Sequence, residues 1–141
     1  MNSRNLRRIS GLVLAASLLL TSGCGKRSKV WQFNDQVEGV VKLEGAPLAN
    51  VFVQFVPIDP EEQGPISQGQ TDAKGHFTLA TNDDREGAVI GQHKILVFAG
   101  RTETGARLGS SVPPSYRTVK DTRLSLDVTP DKHSYELELK R

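Results

Sequence analysis

From about residue 36 onward the chain falls into short runs in which apolar and polar residues alternate, separated by turn residues. Successive side chains of an extended strand point to opposite faces, so alternation with a period of two marks sheets that have one buried and one wet face. The last two runs show it most cleanly. Leu124, Leu126 and Val128 alternate with Arg123, Ser125 and Asp127, then Tyr135, Leu137 and Leu139 alternate with Ser134, Glu136, Glu138 and Lys140. The short loop Thr129-Pro130-Asp131-Lys132-His133 lies between them and predicts an antiparallel hairpin. Earlier, Val37, Val41 and Leu43 share one face of an opening strand. Gly45-Ala46-Pro47 then turns the chain into Val51, Val53 and Phe55. Phe52 and Val56 are also apolar, which places this second strand centrally or under a covering loop. No amphipathic helix of convincing length interrupts the pattern, so the expected class is all-β, a sandwich or a barrel.

Turn chemistry punctuates these runs, and Gly39, Gly45, Pro47, Asp72, Gly75, Gly91 and Pro113 are read as structural turn residues. The most specific segment is Thr71-Asp72-Ala73-Lys74-Gly75-His76-Phe77. An Asp side chain can accept from the amides of the turn that follows it, and a glycine takes the positive φ that other residues resist. Phe77 and Leu79 are expected in the core, with His76 and Thr78 facing out. A calcium loop is the rival reading, but one carboxylate in this segment falls far short of the ligands calcium needs. Gly87 and Gly91 bracket a loop before the β-prone run His93 to Phe98, without the Walker spacing or the helix N-terminus of a phosphate-binding loop.

The N-terminus carries Arg4, Arg7 and Arg8 without an acid, then an apolar run from Ile9 to Leu20, then Thr21-Ser22-Gly23-Cys24. This is the layout of a secretory signal. The run is about a dozen residues, whereas a helix that spans a bilayer takes roughly 20, so cleavage is the better reading. Residues 1–23 are expected as signal peptide and 24–35 as a polar tether. Ser22, Gly23 and Cys24 resemble the lipobox of bacterial lipoproteins, although an aliphatic residue is usual where Thr21 stands. That resemblance implies acyl chains of the palmitate type on Cys24 and a mature N-terminus there. An ordinary signal cleavage nearby would instead leave a free thiol. Cys24 is the only cysteine, so no internal disulfide can form and an exported fold must rest on apolar packing.

Without the three signal arginines, 15 basic residues face 16 acidic ones, a net charge of −1. No basic footprint remains on the domain, which argues against nucleic acid as a partner. Lys26, Arg27 and Lys29 beside Trp31 are candidates for contact with anionic headgroups, against the plainer reading of a solvated tether.

Val37-Glu38-Gly39-Val40-Val41, Gly45 to Val53, Thr71 to Phe77, Gly87 to Ile95 and Val112-Pro113-Pro114-Ser115-Tyr116 together resemble the carboxypeptidase regulatory-like and transthyretin-like domains of small bacterial lipoproteins. The resemblance covers residues 36–141. It implies a single Greek-key β-sandwich of about seven strands, prealbumin-like, following the signal segment. A shared fold does not carry an activity with it.

Enzymatic readings fare poorly on the residues. His133 and Glu136 are three apart, which in a strand sends their side chains to opposite faces, and no histidine follows to complete a zinc site. Transthyretin-like hydrolases end in a Tyr-Arg-Gly-Ser tail, whereas this chain ends Glu136-Leu137-Glu138-Leu139-Lys140-Arg141. Ser110 and Ser111 lack a nucleophile-elbow context. No catalytic residue, metal or cofactor is expected. Two long connections, 57–69 and 99–115, are candidate binding loops, with Arg101, Arg107 and Tyr116 as a possible interaction rim. The expected role is that of a membrane-anchored lipoprotein in a bacterial cell envelope, facing the periplasm or the exterior. It would serve as a non-catalytic structural or interaction module toward an envelope protein. The alternative is a small-ligand or glycan-binding module, with a transthyretin-like hydrolase third.

Overall fold

A computed structural model describes residue 25 and residues 29–61, 63–100 and 112–141. Cys24, Arg101 and Arg107 lie outside the described residues, as do residues 1–23. The chain is all-β and sandwich-like, and the strands follow in order as β1 (Phe33–Asn34), β2 (Glu38–Leu43), β3 (Ala46–Pro47), β4 (Val51–Pro57), β5 (Ser67–Gln70), β6 (His76–Thr78), β7 (Ala80–Thr81), β8 (Ala88–Val89), β9 (Gly91–Ala99), β10 (Ser125–Val128) and β11 (Ser134–Leu139). One sheet runs β10-β9-β4-β5-β7. The other runs β11-β2-β3, with β6 also paired to β2, and β1 pairs only with β8.

β4 is flanked on both sides, by β9 and β5, which is where an apolar run on two faces belongs. Its inward residues Val51, Val53 and Phe55 are fully buried, and across the interior they meet Val41, Phe77, Tyr135, Leu137 and Leu139 of the second sheet. Phe55 is central. Its ring lies 6.1 Å from that of Phe77 and 6.3 Å from that of Tyr135.

The chain passes between the two main sheets at 48–50, at 71–75, at Leu79 and at 129–133, and the last two of these passages position the site. At Leu79 a single extended run changes partners: β6 pairs with β2, while β7 pairs with β5. The Leu79 amide donates to the carbonyl of Val37, and its own carbonyl accepts from the Gly87 amide. The last passage is the loop 129–133. β10 pairs antiparallel with β9, whereas β11 pairs parallel with β2, so the expected hairpin between the last two runs is instead an arch joining opposite sheets. The cause is a set of side chains that satisfy the carbonyls a hairpin would pair across its turn. Asn34 Nδ2 donates to the carbonyls of Thr129 and Lys132, both at 2.8 Å, and Tyr135 Oη donates to Lys132 at 3.0 Å.

Asn34 also shortens the expected tether. Its side chain is buried, its Oδ1 accepts from the Gln36 amide, and Phe33–Asn34 pairs with Ala88–Val89, so the domain begins before residue 36. Gly39 requires a second correction, since it lies inside β2 and not at a turn. A Cβ there would stand 2.1 Å from the Tyr135 carbonyl oxygen and 2.8 Å from the Phe77 ring, so the position needs a glycine for close approach. Pro47 likewise sits in β3, opposite Lys42. The turn before it is made by Glu44 and Gly45, with φ of 51° and 83°.

Replacing Asn34 by Ala strips partners from the carbonyls of Thr129 and Lys132 and from the Gln36 amide. The expected cost is about 2–4 kcal/mol. Denaturant unfolding of the variant against wild type checks it, and a change below about 0.5 kcal/mol refutes the clasp.

Candidate functional site

The strand register gives the molecule two poles. Val51 stands opposite Ala99 and Pro57 opposite His93, so the connection after β4 leaves one end of the sheet and the connection after β9 leaves the other. Six residues of strand separate those ends, about 20 Å. Loops 57–69 and 99–115 therefore start from opposite ends of the sheet, Ser67 to Gly69 of the first belong to strand β5, and residues 101–111 of the second lie outside the described residues. The entry pole holds Lys29 to Asn34, the arch 129–133 and the 58–66 connection. The far pole holds Glu44 and Gly45, Asn50, the Thr71 to Gly75 turn and the C-terminal end of β11.

The far-pole turn is built by Asp72. Its Oδ1 accepts from the Lys74 and His76 amides at 2.8 and 2.9 Å, and Gly75 takes φ of +77°. Those two amides hold the Asp72 carboxyl below the usual carboxylate range. Both of these bonds close the turn on itself, which gives Asp72 a structural part. Gly91, at φ of +128°, opens β9 at the entry pole.

Tyr116 follows Pro113 in a single 3-10 turn, Pro114–Tyr116, and the Tyr116 amide donates to the Pro113 carbonyl. The ring packs against the core, and its hydroxyl both accepts from the Lys140 amide at 2.9 Å and donates to the Lys140 carbonyl at 3.2 Å. Tyr116 thus closes the far end of the β11 edge. In a parallel ladder alternate residues of an edge strand turn both main-chain groups toward the neighbour. Glu38 N donates to His133 O and Glu44 N to Leu139 O, so His133, Tyr135, Leu137 and Leu139 face β2. The N–H and C=O groups of Ser134, Glu136 and Glu138 face away from it and are unpaired among the described residues. Above them Lys42 Nζ lies 2.8 Å from Glu136, and Glu138 accepts from the Gly45 amide at 2.7 Å. The sequence shows the alternation of β11 but not which edge stays open, because that depends on the arch.

Beside the sheet-changing strand, at the entry pole, lies a groove of about 520 Å³. Buried Val37 and Leu79 form its floor, and Asp35, Glu38, Glu86 and His133 stand around it. His133 Nδ1 is 3.1 Å from both Asn34 Oδ1 and the Gln36 carbonyl, so the ring is oriented by the same clasp that fixes the arch. His76 Nε2 is 3.5 Å from Glu38, and Arg85 lies 3.7 Å from Asp35 while covering the Phe33 ring. Nothing in the sequence assembles these residues, since three separate segments supply them. Among the described residues no three His, Cys, Asp or Glu side chains converge as metal ligands, and no helix is long and apolar enough to cross a membrane.

His93 has the chemistry of a functional group but the position of a core residue. It is 1% exposed and its ring lies 5.8 Å from that of Phe55. Nδ1 is 2.9 Å from the Gly91 carbonyl, which can only accept, so Nδ1 carries the proton and Nε2 is a buried acceptor with no partner among the described residues. Burial lowers its pKa from the ordinary 6.5, although the Gly91 carbonyl and Asp127 oppose the shift.

The chain matches no family model, no curated protein and no solved structure.

A depressed folded-state pKa means that the unfolded chain binds a proton the folded chain refuses. The stability contribution from a neutral His93 is complete above about pH 6.5 and declines as pH falls below it, by up to about 1.4 kcal/mol per pH unit, until the folded ring itself titrates. His93→Leu should remove that part of the acid sensitivity. Unfolding free energies of both proteins between pH 7.5 and 5 (about the range over which imidazole titrates) provide the check, and parallel curves reject the assignment.

Proposed function

We propose that this chain is a lipid-anchored, extracytoplasmic β-sandwich of a bacterial cell envelope, of the carboxypeptidase regulatory-like or transthyretin-like type, that acts without catalysis as an interaction module. The signal layout and the Ser22-Gly23-Cys24 lipobox support anchoring. The strand orders β6-β2-β11 and β5-β4-β9-β10 across one core support the prealbumin-like Greek-key reading.

The observation that carries an interaction role is the open β11 edge. Among the described residues Ser134, Glu136 and Glu138 present unpaired donors and acceptors along one edge, the arrangement to which an extended segment adds as a further strand. Self-pairing about a two-fold axis at Leu137 would set Glu136 opposite Glu138 of a second copy, which costs energy. A basic extended segment fits better. The groove favours a second reading, a small-ligand or glycan site, because an apolar floor ringed by polar side chains is the form such sites take.

Two measurements test this reading. Cys24→Ala should leave the protein soluble or mis-processed, and a variant that remains with membranes through carbonate and salt washing counts against lipidation. For the edge, the Ser134, Glu136 and Glu138 amides should exchange with solvent far faster than those of Tyr135, Leu137 and Leu139. Glu136→Pro removes an outward amide and the exposed ion pair with Lys42, so it should abolish capture of an envelope partner while leaving the thermal midpoint within a few degrees of wild type, a shift of about 1 kcal/mol. Undiminished capture by this variant rejects strand addition.

A further inference from the structure

Apolar exposure is unevenly placed on this domain. Among the described residues the exposed large apolar side chains are Val30 at 89%, Ile58 at 47% and Val119 at 47%. The first two share a corner of the entry pole. Lys29 bonds Asp59, which ties the residue before Val30 to the residue after Ile58. The Trp31 ring lies against Gly64 of the same connection, with the Lys29 ammonium 4.6 Å above it. An indole that is apolar on its body and polar at its N–H is the side chain best suited to a membrane–water boundary.

Covalent geometry fixes how far this corner can lie from an anchor on Cys24. Lys29 is five Cα–Cα steps from Cys24, and a fully extended chain spans at most about 3.6 Å per step, so the Cα of Lys29 is held within about 18 Å of the Cα of Cys24. That is less than the separation of the two poles. We infer that Val30, Ile58 and the edge of Trp31 form a bilayer-contact tip, through which the entry pole rests on the membrane interface and the far pole points away from it. The inference rests on the anchoring reading of Cys24 and adds an orientation to it. Lys29 is already matched by Asp59, so the contact is apolar in origin and does not require anionic lipid. A basic patch, by contrast, would release in salt.

Trp31 is the only tryptophan, so its fluorescence reports this corner without labelling. The full-length protein, purified with its native modification, is incorporated into phosphatidylcholine vesicles with and without bromine on the upper acyl chain. Intact mass and flotation are measured on the same sample. The expected result is an acylated, floating protein whose emission is blue-shifted and quenched by the brominated lipid, with quenching unchanged at high salt. Val30→Ser combined with Ile58→Ser should lose most of the quenching while still floating, whereas Val119→Ser should keep it. Acylated, floating wild type with unquenched emission overturns the tip alone. An unmodified Cys24 overturns the anchoring reading, and the tip with it.

Discussion

Four hydrogen bonds to one buried side chain hold the organisation of this domain. Asn34 donates twice, to the carbonyls of Thr129 and Lys132, and its Oδ1 accepts from the Gln36 amide and lies within reach of the His133 ring. An asparagine amide offers two donors and one carbonyl, and here nearly all of that capacity is spent between segments about 95 residues apart. The consequences propagate. With the 129–133 arch pinned, β11 leaves it on the side of β2 and runs parallel to it. That fixes which residues of β11 face inward and which edge stays open. The same clasp sets the His133 ring beside the groove and locates the point where the chain enters the sandwich.

Much of the sheet framework was legible in the sequence, because burial on one face forces a period of two on any strand. β4 read as central from Phe52 and Val56, and Phe77 and Leu79 read as core from the alternation after Gly75. Partner choice was not legible. The faces of β10 and β11 are equally apolar whether the two strands form a hairpin in one sheet or face each other across the core, so periodicity cannot separate the alternatives. Their arrangement depends on Asn34, which lies in a stretch whose polar composition reads as tether. Gly39 was misread for a related reason: a glycine in a strand signals either a bend or a close approach, and only the positions of Tyr135 and Phe77 distinguish them. The candidate rim is divided at its roots, because the β4–β9 register starts the two loops at opposite ends of the sheet. Its arginines, Arg101 and Arg107, lie outside the described residues.

The interior shows where the packing carries strain in polar satisfaction. Phe55 contacts rings from both sheets, and His93 completes the aromatic cluster on the side of β9 with an unpartnered nitrogen. Ser67, across β4 in β5, also buries an unpartnered hydroxyl. Two such atoms lie near one end of the core, toward the entry pole, whereas the far pole is tied by the Asp72 turn and the Tyr116 hydroxyl. Unsatisfied polar atoms raise the free energy of the folded state without raising that of the unfolded chain. The Asn34 clasp on the arch offsets part of that cost at the entry pole.

The charge around the entry pole bears on how an anchored domain would be used. Asp35, Glu38 and Glu86 surround the groove at the entry pole, and an anionic surface within a Debye length of about 8 Å would repel them. An apolar contact through Val30 and Ile58 has no such opposition. Lys29 does not change the balance, because Asp59 already neutralises it. The β11 edge runs from the entry pole to Lys140, where Tyr116 ends it, so a strand added there would lie along the flank of the domain. With the entry pole on the membrane, that flank projects outward. In that proposed orientation it would remain accessible to an extended segment, while the groove, close to the bilayer, would admit only something small.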